Sequence, residues 1–132
     1  MLANRRKFPK AKRPGEYWAF FTLPFKTKEG PGFVYCACDA YSEFGINIGV
    51  DKNKNPETVL KHIYLLTEDK DFIKPMFKGF TLVLSEHEEL KDRINGIIST
   101  VKGKLLFDKE FNHKISLPLL RSLGEFLEKD MR

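Results

Sequence analysis

Apolar residues in the first part of the chain follow the spacing of three strands. Residues 17–23 are dense in aromatic side chains, and residues 33–39 follow a turn rich in glycine and proline. In residues 45–50, apolar positions alternate with small or polar ones, which predicts a strand with one buried face. Because the links between these segments are short, we expect the three strands to form an antiparallel meander.

Helical spacing first appears in the middle of the chain. Asn55 is a suitable N-cap, Pro56 suits the first helical position, and apolar residues then recur with helical spacing as far as Leu66. Residues 80–84 form a continuous apolar run, which is typical of a strand buried on both faces. The pattern thus changes from a meander to an alternation of helices and strands.

Two more helices and one strand are predicted after this buried strand. Ser85, with Glu88 three residues later, matches a capping box that would open the second helix. Residues 104–107 form a short apolar run, which we expect to be a strand near an edge of the sheet. Ser116 and Pro118 are expected to open the last helix.

The resulting order, β-β-β-α-β-α-β-α, predicts an α/β fold. Strands separated by helices favour right-handed parallel connections, so the sheet should be a mixed one of five strands with helices on its faces. With 132 residues, the chain has room for one such domain. We predict a basic N-terminal tail or linker over residues 1–14, ended by Pro14, and a domain over residues 15–132.

Positive charge is concentrated in the tail. The chain carries a net charge of +5, and residues 1–13 contain six cations and no acid, so the remainder is close to neutral. The six are Arg5, Arg6, Lys7, Lys10, Lys12 and Arg13. Such a tail can neutralise phosphates, so we predict that it binds DNA; a solvated linker is the alternative interpretation.

The two cysteines are predicted to be buried free thiols. Cys36 and Cys38 would lie on the same side of a strand, within an apolar run, and such close spacing makes a poor disulfide. One Cys-x-Cys pair also supplies too few ligands for a zinc site. Free thiols favour a reducing, cytoplasmic setting. No apolar stretch is long enough to cross a bilayer, so no membrane association is expected.

Three segments and the order of the elements carry a resemblance to a known family. The segment Pro14-Gly15-Glu16-Tyr17-Trp18 precedes an aromatic strand, and Asp39-Ala40-Tyr41-Ser42 lies at the turn between the second and third strands. Leu82-Val83-Leu84-Ser85-Glu86 ends the buried strand. Together, from residue 14 to about residue 104, they resemble the ribonuclease-H-like catalytic core of integrases and transposases. In that family the aspartate matched by Asp39 is structural.

The resemblance implies a metal-dependent site, from which this chain departs. Family members hold two divalent cations with two aspartates and one glutamate, and hard cations need such oxygen ligands. The first aspartate position falls on Phe20 or Phe21. The second matches Glu86, which could otherwise be an ordinary acid in the first turn of a helix. Glu125 and Glu128 on the last helix are available for the third position, with Glu125 as the candidate, but the residues around them do not match the motif of the family.

Three hypotheses follow from these departures. The first is a degenerate integrase-like core without catalysis and without a cofactor, which serves as a nucleic-acid-binding or assembly module from a mobile element. The second is an active strand-transfer enzyme or nuclease that binds Mg²⁺ or Mn²⁺ with Glu86 and Glu125. The third is a protein-interaction domain with no role in nucleic-acid binding. The resemblance also allows a homodimer.

Overall fold

A five-stranded sheet forms the centre of the molecule. The computed structural model describes residues 7–73 and 78–130, without the side chains of 27, 73 and 123–130. The strands are β1 (Tyr17–Thr27), β2 (Gly30–Asp39), β3 (Gly45–Asp51), β4 (Phe80–Leu84) and β5 (Gly103–Phe107). Their spatial order is β3-β2-β1-β4-β5, with β1, β2 and β3 antiparallel and with β4 and β5 parallel to β1. The predicted mixed sheet and its order of elements are confirmed.

Helices cover both faces of this sheet. They are α1 (Pro56–Thr67), the single-turn α2 (Lys70–Ile73), α3 (Lys91–Ile98) and α4 (Lys109–Asp130). The helices α1 and α3 pack on one face and α4 packs on the other. Asn55 caps α1 as predicted, because its Oδ1 accepts a hydrogen bond from the Thr58 amide at 2.9 Å. No helix in the described part of the chain is long and apolar enough to span a membrane.

The central strand β1 is buried on both faces, so its aromatic residues contribute to two cores. Trp18 and Phe20 pack in the core beneath α1 and α3, whereas Phe21 packs in the core beneath α4. Cys36 and Cys38 lie in this second core as free thiols, which confirms the prediction. Burial raises the pKa of Cys36 to about 11 and that of Cys38 to about 12.

The predicted capping box at Ser85 is wrong. The chain makes a 3-10 turn at Glu88–Leu90 before α3, and no side chain caps either element. His87 precedes this turn with a left-handed backbone, φ 71°, which redirects the chain after β4. Ser85 therefore lies outside the helical segment that it was expected to open.

The last helix begins earlier than predicted. Asp108 caps α4, and its Oδ1 accepts a hydrogen bond from the Phe111 amide at 3.1 Å. Ser116 and Pro118 lie inside the helix. The Ser116 hydroxyl is buried and donates to the Asn112 carbonyl at 2.8 Å, one turn earlier. A serine with a proline two residues later thus resembles a helix start, although both residues lie in the interior of α4.

Part of the N-terminal tail packs on α4. The Phe8 ring stacks on Phe111 with 5.5 Å between ring centroids, and Lys114 Nζ lies 5.1 Å from the centre of the Phe8 ring. The boundary after residue 14 stays a prediction. Arg5 and Arg6 lie outside the described residues.

Candidate functional site

A small opening lies where β1 and β4 separate. The two parallel strands are paired only as far as Ala19 and Val83. The opening beyond this point is lined by Phe20, Phe21, Thr22, Leu84, Ser85, Glu86 and His87. Ligand sites in sheets of this kind commonly lie at the carboxyl ends of the strands. The structure therefore brings together the first and second acidic positions that the sequence analysis singled out.

The β1 side of this opening is apolar and almost closed. Phe20 and Phe21 are buried, with 3% and 8% of their surface exposed. The Phe20 ring lies 6.1 Å from the ring of Tyr35. The opening has a volume of about 10 Å³, which is close to the smallest volume that can hold one water molecule.

Asn112, on α4, bonds the backbone of both strands beside the opening. Its Nδ2 donates hydrogen bonds to the carbonyl of Phe20 at 3.0 Å and to the carbonyl of Val83 at 2.8 Å. These carbonyls lie where the pairing of β1 and β4 stops. The Asn112 amide therefore donates to backbone carbonyls at the point where the two strands no longer bond each other. Asn112 is itself buried. It therefore links α4 to both strands of the site.

Asn112 was not predicted as a site residue, because the last helix was expected to begin at Ser116. A signal was available: Asp108 is a suitable N-cap, and Phe111 and Ile115 follow it with helical spacing. A helix starting after Asp108 places Asn112 next to the buried Phe111.

Glu86 is ionised and its charge is paired with that of a neighbouring lysine. It forms an ion pair with Lys54, from the connection between β3 and α1, and lies 3.3 Å from His87 Nε2. Burial alone raises the pKa of Glu86, but the hydrogen bond and charge of Lys54, together with His87, outweigh it and lower the pKa. The Glu86 carboxylate therefore already has a cationic partner in Lys54.

Glu125 lies on α4, but its side chain is outside the described residues. With a rise of 1.5 Å per residue, its Cα is roughly 20 Å along the helix from that of Asn112. Its role at the third position stays a prediction. Among the side chains that the structure describes, which leave out those of 123–130, no group of three or more His, Cys, Asp or Glu could hold a metal ion.

A packed aromatic cluster lies beside this site. The His62 ring stacks on Tyr35 with 3.9 Å between centroids, and its Nε2 lies 3.4 Å from Asp51 Oδ2. Burial lowers the pKa of His62 although Asp51 opposes this effect. The Tyr35 hydroxyl donates to the Asn53 carbonyl at 2.8 Å, and burial, with the nearby carboxylates, raises the pKa of Tyr35 to about 12. The His62 and Tyr35 side chains are therefore neutral at pH 7 and belong to the core.

Asp39 has the structural role that the resemblance implies. It is buried, and its Oδ1 accepts a hydrogen bond from the Gly15 amide at 3.0 Å. Its Oδ2 accepts from the Ser42 hydroxyl at 2.7 Å. The side chain therefore ties the turn between β2 and β3 to the start of the domain.

Solved structures of integrases share this fold. No family model and no curated protein matches the chain. A chain of the simian T-cell lymphotropic virus intasome in complex with PP2A regulatory subunit B56 gamma is similar with a TM-score of 0.68 and 12% identity. The likeness covers 91% of this chain but only 41% of that one, so the present chain spans less than half of it.

The HTLV-2 integrase catalytic core domain in complex with magnesium is also similar. Its dimeric and trimeric forms give TM-scores of 0.61 and 0.60 at 10% identity, over 88% of this chain and 74% of theirs. At such identities the likeness shows the fold alone. The integrase-like ribonuclease H fold predicted from the sequence is therefore confirmed.

Proposed function

We propose that this chain is a catalytically inactive integrase-core-like domain that works as a nucleic-acid-binding or assembly module. The observation that carries the proposal is the content of the opening between β1 and β4. Its lining includes two buried phenylalanines and a glutamate paired with a lysine, and a buried amide bonds the backbone of both strands next to it. These residues suit packing and not metal-assisted phosphoryl chemistry.

The residues of the opening do not fit a pair of divalent cations. Mg²⁺ needs oxygen ligands in near-octahedral geometry and usually keeps several waters. The opening of about 10 Å³ is far too small for this arrangement, and β1 contributes Phe20, Phe21 and Thr22 to its lining but no carboxylate. Glu86 is held by Lys54, and Asn112 directs its amide nitrogen to the strands. No reaction step is therefore assigned to these groups.

Charge and oligomeric relatives support the module part of the proposal. Lys7, Lys10, Lys12 and Arg13 belong to the basic start of a chain that is otherwise near neutral, and such a cationic segment attracts phosphates. The similar integrase cores are described as dimeric and trimeric, and the third similar chain comes from an intasome. Self-association and contact with nucleic acid are the properties that we infer for this chain from these likenesses.

Two assays test the absence of catalysis. The full chain is incubated with supercoiled plasmid and with short duplex DNA in Mg²⁺ or Mn²⁺, and nicking and strand transfer are measured against a Glu86→Ala variant. We expect neither protein to produce product. In parallel, Mn²⁺ should cause no selective broadening of the Thr22 and Glu86 amide signals in NMR spectra. A metal-dependent product that disappears in Glu86→Ala would overturn the proposal.

A separate measurement tests the module part. Sedimentation velocity reports self-association, and fluorescence anisotropy with labelled DNA at low salt reports binding. If the wild-type chain stays monomeric at high concentration and leaves DNA unbound at low salt, the module function is wrong even where catalysis is absent.

A further inference from the structure

A basic pocket lies at the opposite end of the sheet from the opening described above. It forms where β4 and β5 begin and has a volume of about 560 Å³. Four cationic side chains line it, namely Arg13, Lys78, Lys102 and Lys104, with Glu16 as its one carboxylate. We propose that this pocket binds the phosphodiester backbone of nucleic acid. The inference rests on the nucleic-acid-binding part of the proposed function and assigns a site to it.

Arg13 supplies a positive charge that is fixed in position. Its Nη2 donates to the carbonyls of Lys78 at 3.2 Å and Gly79 at 2.7 Å. These acceptors are neutral, so they orient the guanidinium without cancelling its charge. Its Nη1 is enclosed and has no hydrogen-bond partner within the described part of the chain. An anion at the pocket would offset the cost of holding this charge partly buried.

The carboxylate of the pocket is already engaged. Glu16 Oε1 accepts a hydrogen bond from the Lys12 amide at 2.6 Å. Lys78, Lys102 and Lys104 are exposed. Their ammonium groups can therefore meet a phosphate without a large desolvation cost. The lining thus keeps an excess of positive charge.

The fold sets the distance between the two lysine-bearing segments. The Phe80 amide donates to the Lys102 carbonyl at 3.3 Å, which joins the start of β4 to the start of β5. A Cβ at Gly103 would lie 2.5 Å from the ring of Phe80, so only glycine allows this approach. The cations of the pocket are therefore placed by the sheet and not by the tail alone.

Two features favour a nucleic acid over an anionic membrane. Surfaces that bind membranes usually insert apolar side chains. The exposed large apolar residues of the described chain are Tyr41, Phe44, Val50, Tyr64 and Leu65, and none of them lines this pocket. Lys7, Lys10 and Lys12 lie within six residues before Arg13, so the positive charge continues along the chain from the pocket. A linear polyanion can pair with such an extended set of cations.

A charge-matched pair of variants tests the pocket. Binding of labelled duplex DNA to the full chain is measured by anisotropy over a range of salt concentrations. The pocket variant carries Lys78→Gln, Lys102→Gln and Lys104→Gln. The control variant removes the same charge at exposed positions elsewhere, with Lys26→Gln, Lys28→Gln and Lys91→Gln. We expect the pocket variant to bind about ten-fold more weakly and to flatten the salt slope by roughly 0.9 for each lost phosphate contact.

The control variant should keep the wild-type salt slope. An equal loss in both variants would show a general charge effect and would overturn the pocket assignment. If the wild-type chain binds DNA and the pocket variant, with an unchanged melting temperature, binds equally well, the pocket assignment alone fails. If the wild-type chain binds no nucleic acid at all, the binding part of the proposed function fails with it.

Further ligands distinguish the possible sources of phosphate. The amide signals of Gly79 and Gly103 are followed by NMR while duplex DNA, inorganic phosphate or phosphatidylserine vesicles are added. We expect DNA to shift both signals at concentrations where inorganic phosphate does not. Equal shifts with inorganic phosphate would indicate a site for the free ion, and equal binding to vesicles would indicate a lipid surface. Either result contradicts the proposal.

Discussion

The two ends of the sheet differ in charge: at one end a carboxylate is paired with a lysine, and at the other four cations line a pocket with a single carboxylate. At the carboxyl end of β4, Glu86 is paired with Lys54, and the neighbouring β1 residues Phe20 and Phe21 are buried. At the amino ends of β4 and β5, four cations surround a pocket with one carboxylate, and Arg13 is held by neutral carbonyls. The first end is nearly closed, at about 10 Å³, whereas the second offers about 560 Å³.

This difference shows that the stability of a fold and the chemistry of its sites depend on different residues. A cluster of carboxylates repels itself and is costly to bury, whereas each buried phenylalanine stabilises a fold by about 1.5–3 kcal/mol. Here Phe20 packs in one core and Phe21 in the other, and Asn112 donates a hydrogen bond to the Phe20 carbonyl. Function follows from the groups of a site and not from the fold that carries them.

Removing the amide at the closed end should have the largest effect on stability. Asn112→Ala leaves the Phe20 and Val83 carbonyls without the donor that now serves both. Since a buried group left without a partner costs about 1–3 kcal/mol, we expect a loss of about 2–4 kcal/mol. The free energy of unfolding is measured by urea denaturation.

The adjacent His113→Ala is the matched control, because His113 is exposed on the same turn of α4. It should change stability by less than about 0.5 kcal/mol. If Asn112→Ala lowers the free energy of unfolding no more than this control does, the Asn112 hydrogen bonds do not hold the two strands together.

At the basic end, a glycine substitution should have a smaller but still clear effect. Gly103→Ala places a Cβ 2.5 Å from Phe80 and 2.9 Å from Ile98, so we expect a loss of about 1–3 kcal/mol from overpacking. Gly96→Ala is the matched control, because a Cβ there meets nothing within 4 Å on α3. It should stabilise the chain by about 0.5–1 kcal/mol through helix propensity. Thermal melting of both variants should give shifts of opposite sign; shifts of the same sign would contradict the close packing at Gly103.

Local patterns predicted the sheet well. The strands and their sequence along the chain followed from apolar spacing, and the Asn55 cap and the turn fixed by Asp39 followed from interactions within a few residues. The start of α4 was missed because Ser116 and Pro118 imitate a helix start. Asn112 was missed for a further reason: it bonds Phe20, which is 92 residues away, and no local pattern reports such a contact.

The basic pocket was also beyond the sequence. The charges along the sequence show that the tail is basic and that the rest of the chain is nearly neutral. Arg13, Lys78 and Lys102 nevertheless converge from three separate segments, and this convergence depends on the parallel pairing of β4 and β5. The near-neutral net charge of residues 14–132 therefore gave no sign of the local excess of positive charge at this pocket.

The smallest expected effect concerns the ion pair at the closed end. Lys54→Met removes the partner that lowers the pKa of Glu86, so this pKa should rise toward or above its ordinary value of 4.5. The Glu86 side chain is about half exposed, with 48% of its surface accessible, so solvent screens the pair and the loss of stability should stay below about 1 kcal/mol. A carbon-detected NMR titration of the Glu86 carboxyl measures the shift.

The sign of the pH dependence makes this test sharper. The folded-state pKa of Glu86 is depressed, so its stabilising contribution is present above the unfolded pKa and is lost as pH falls through the folded pKa. The stability difference between wild type and Lys54→Met should therefore be present at pH 7 and shrink below about pH 4.5. Lys61→Met is the control, because Lys61 pairs with Asp51 and its loss should leave the Glu86 titration unchanged. If Lys54→Met also leaves it unchanged, Glu86 is not neutralised by Lys54, and the contrast between the two ends of the sheet loses its electrostatic basis.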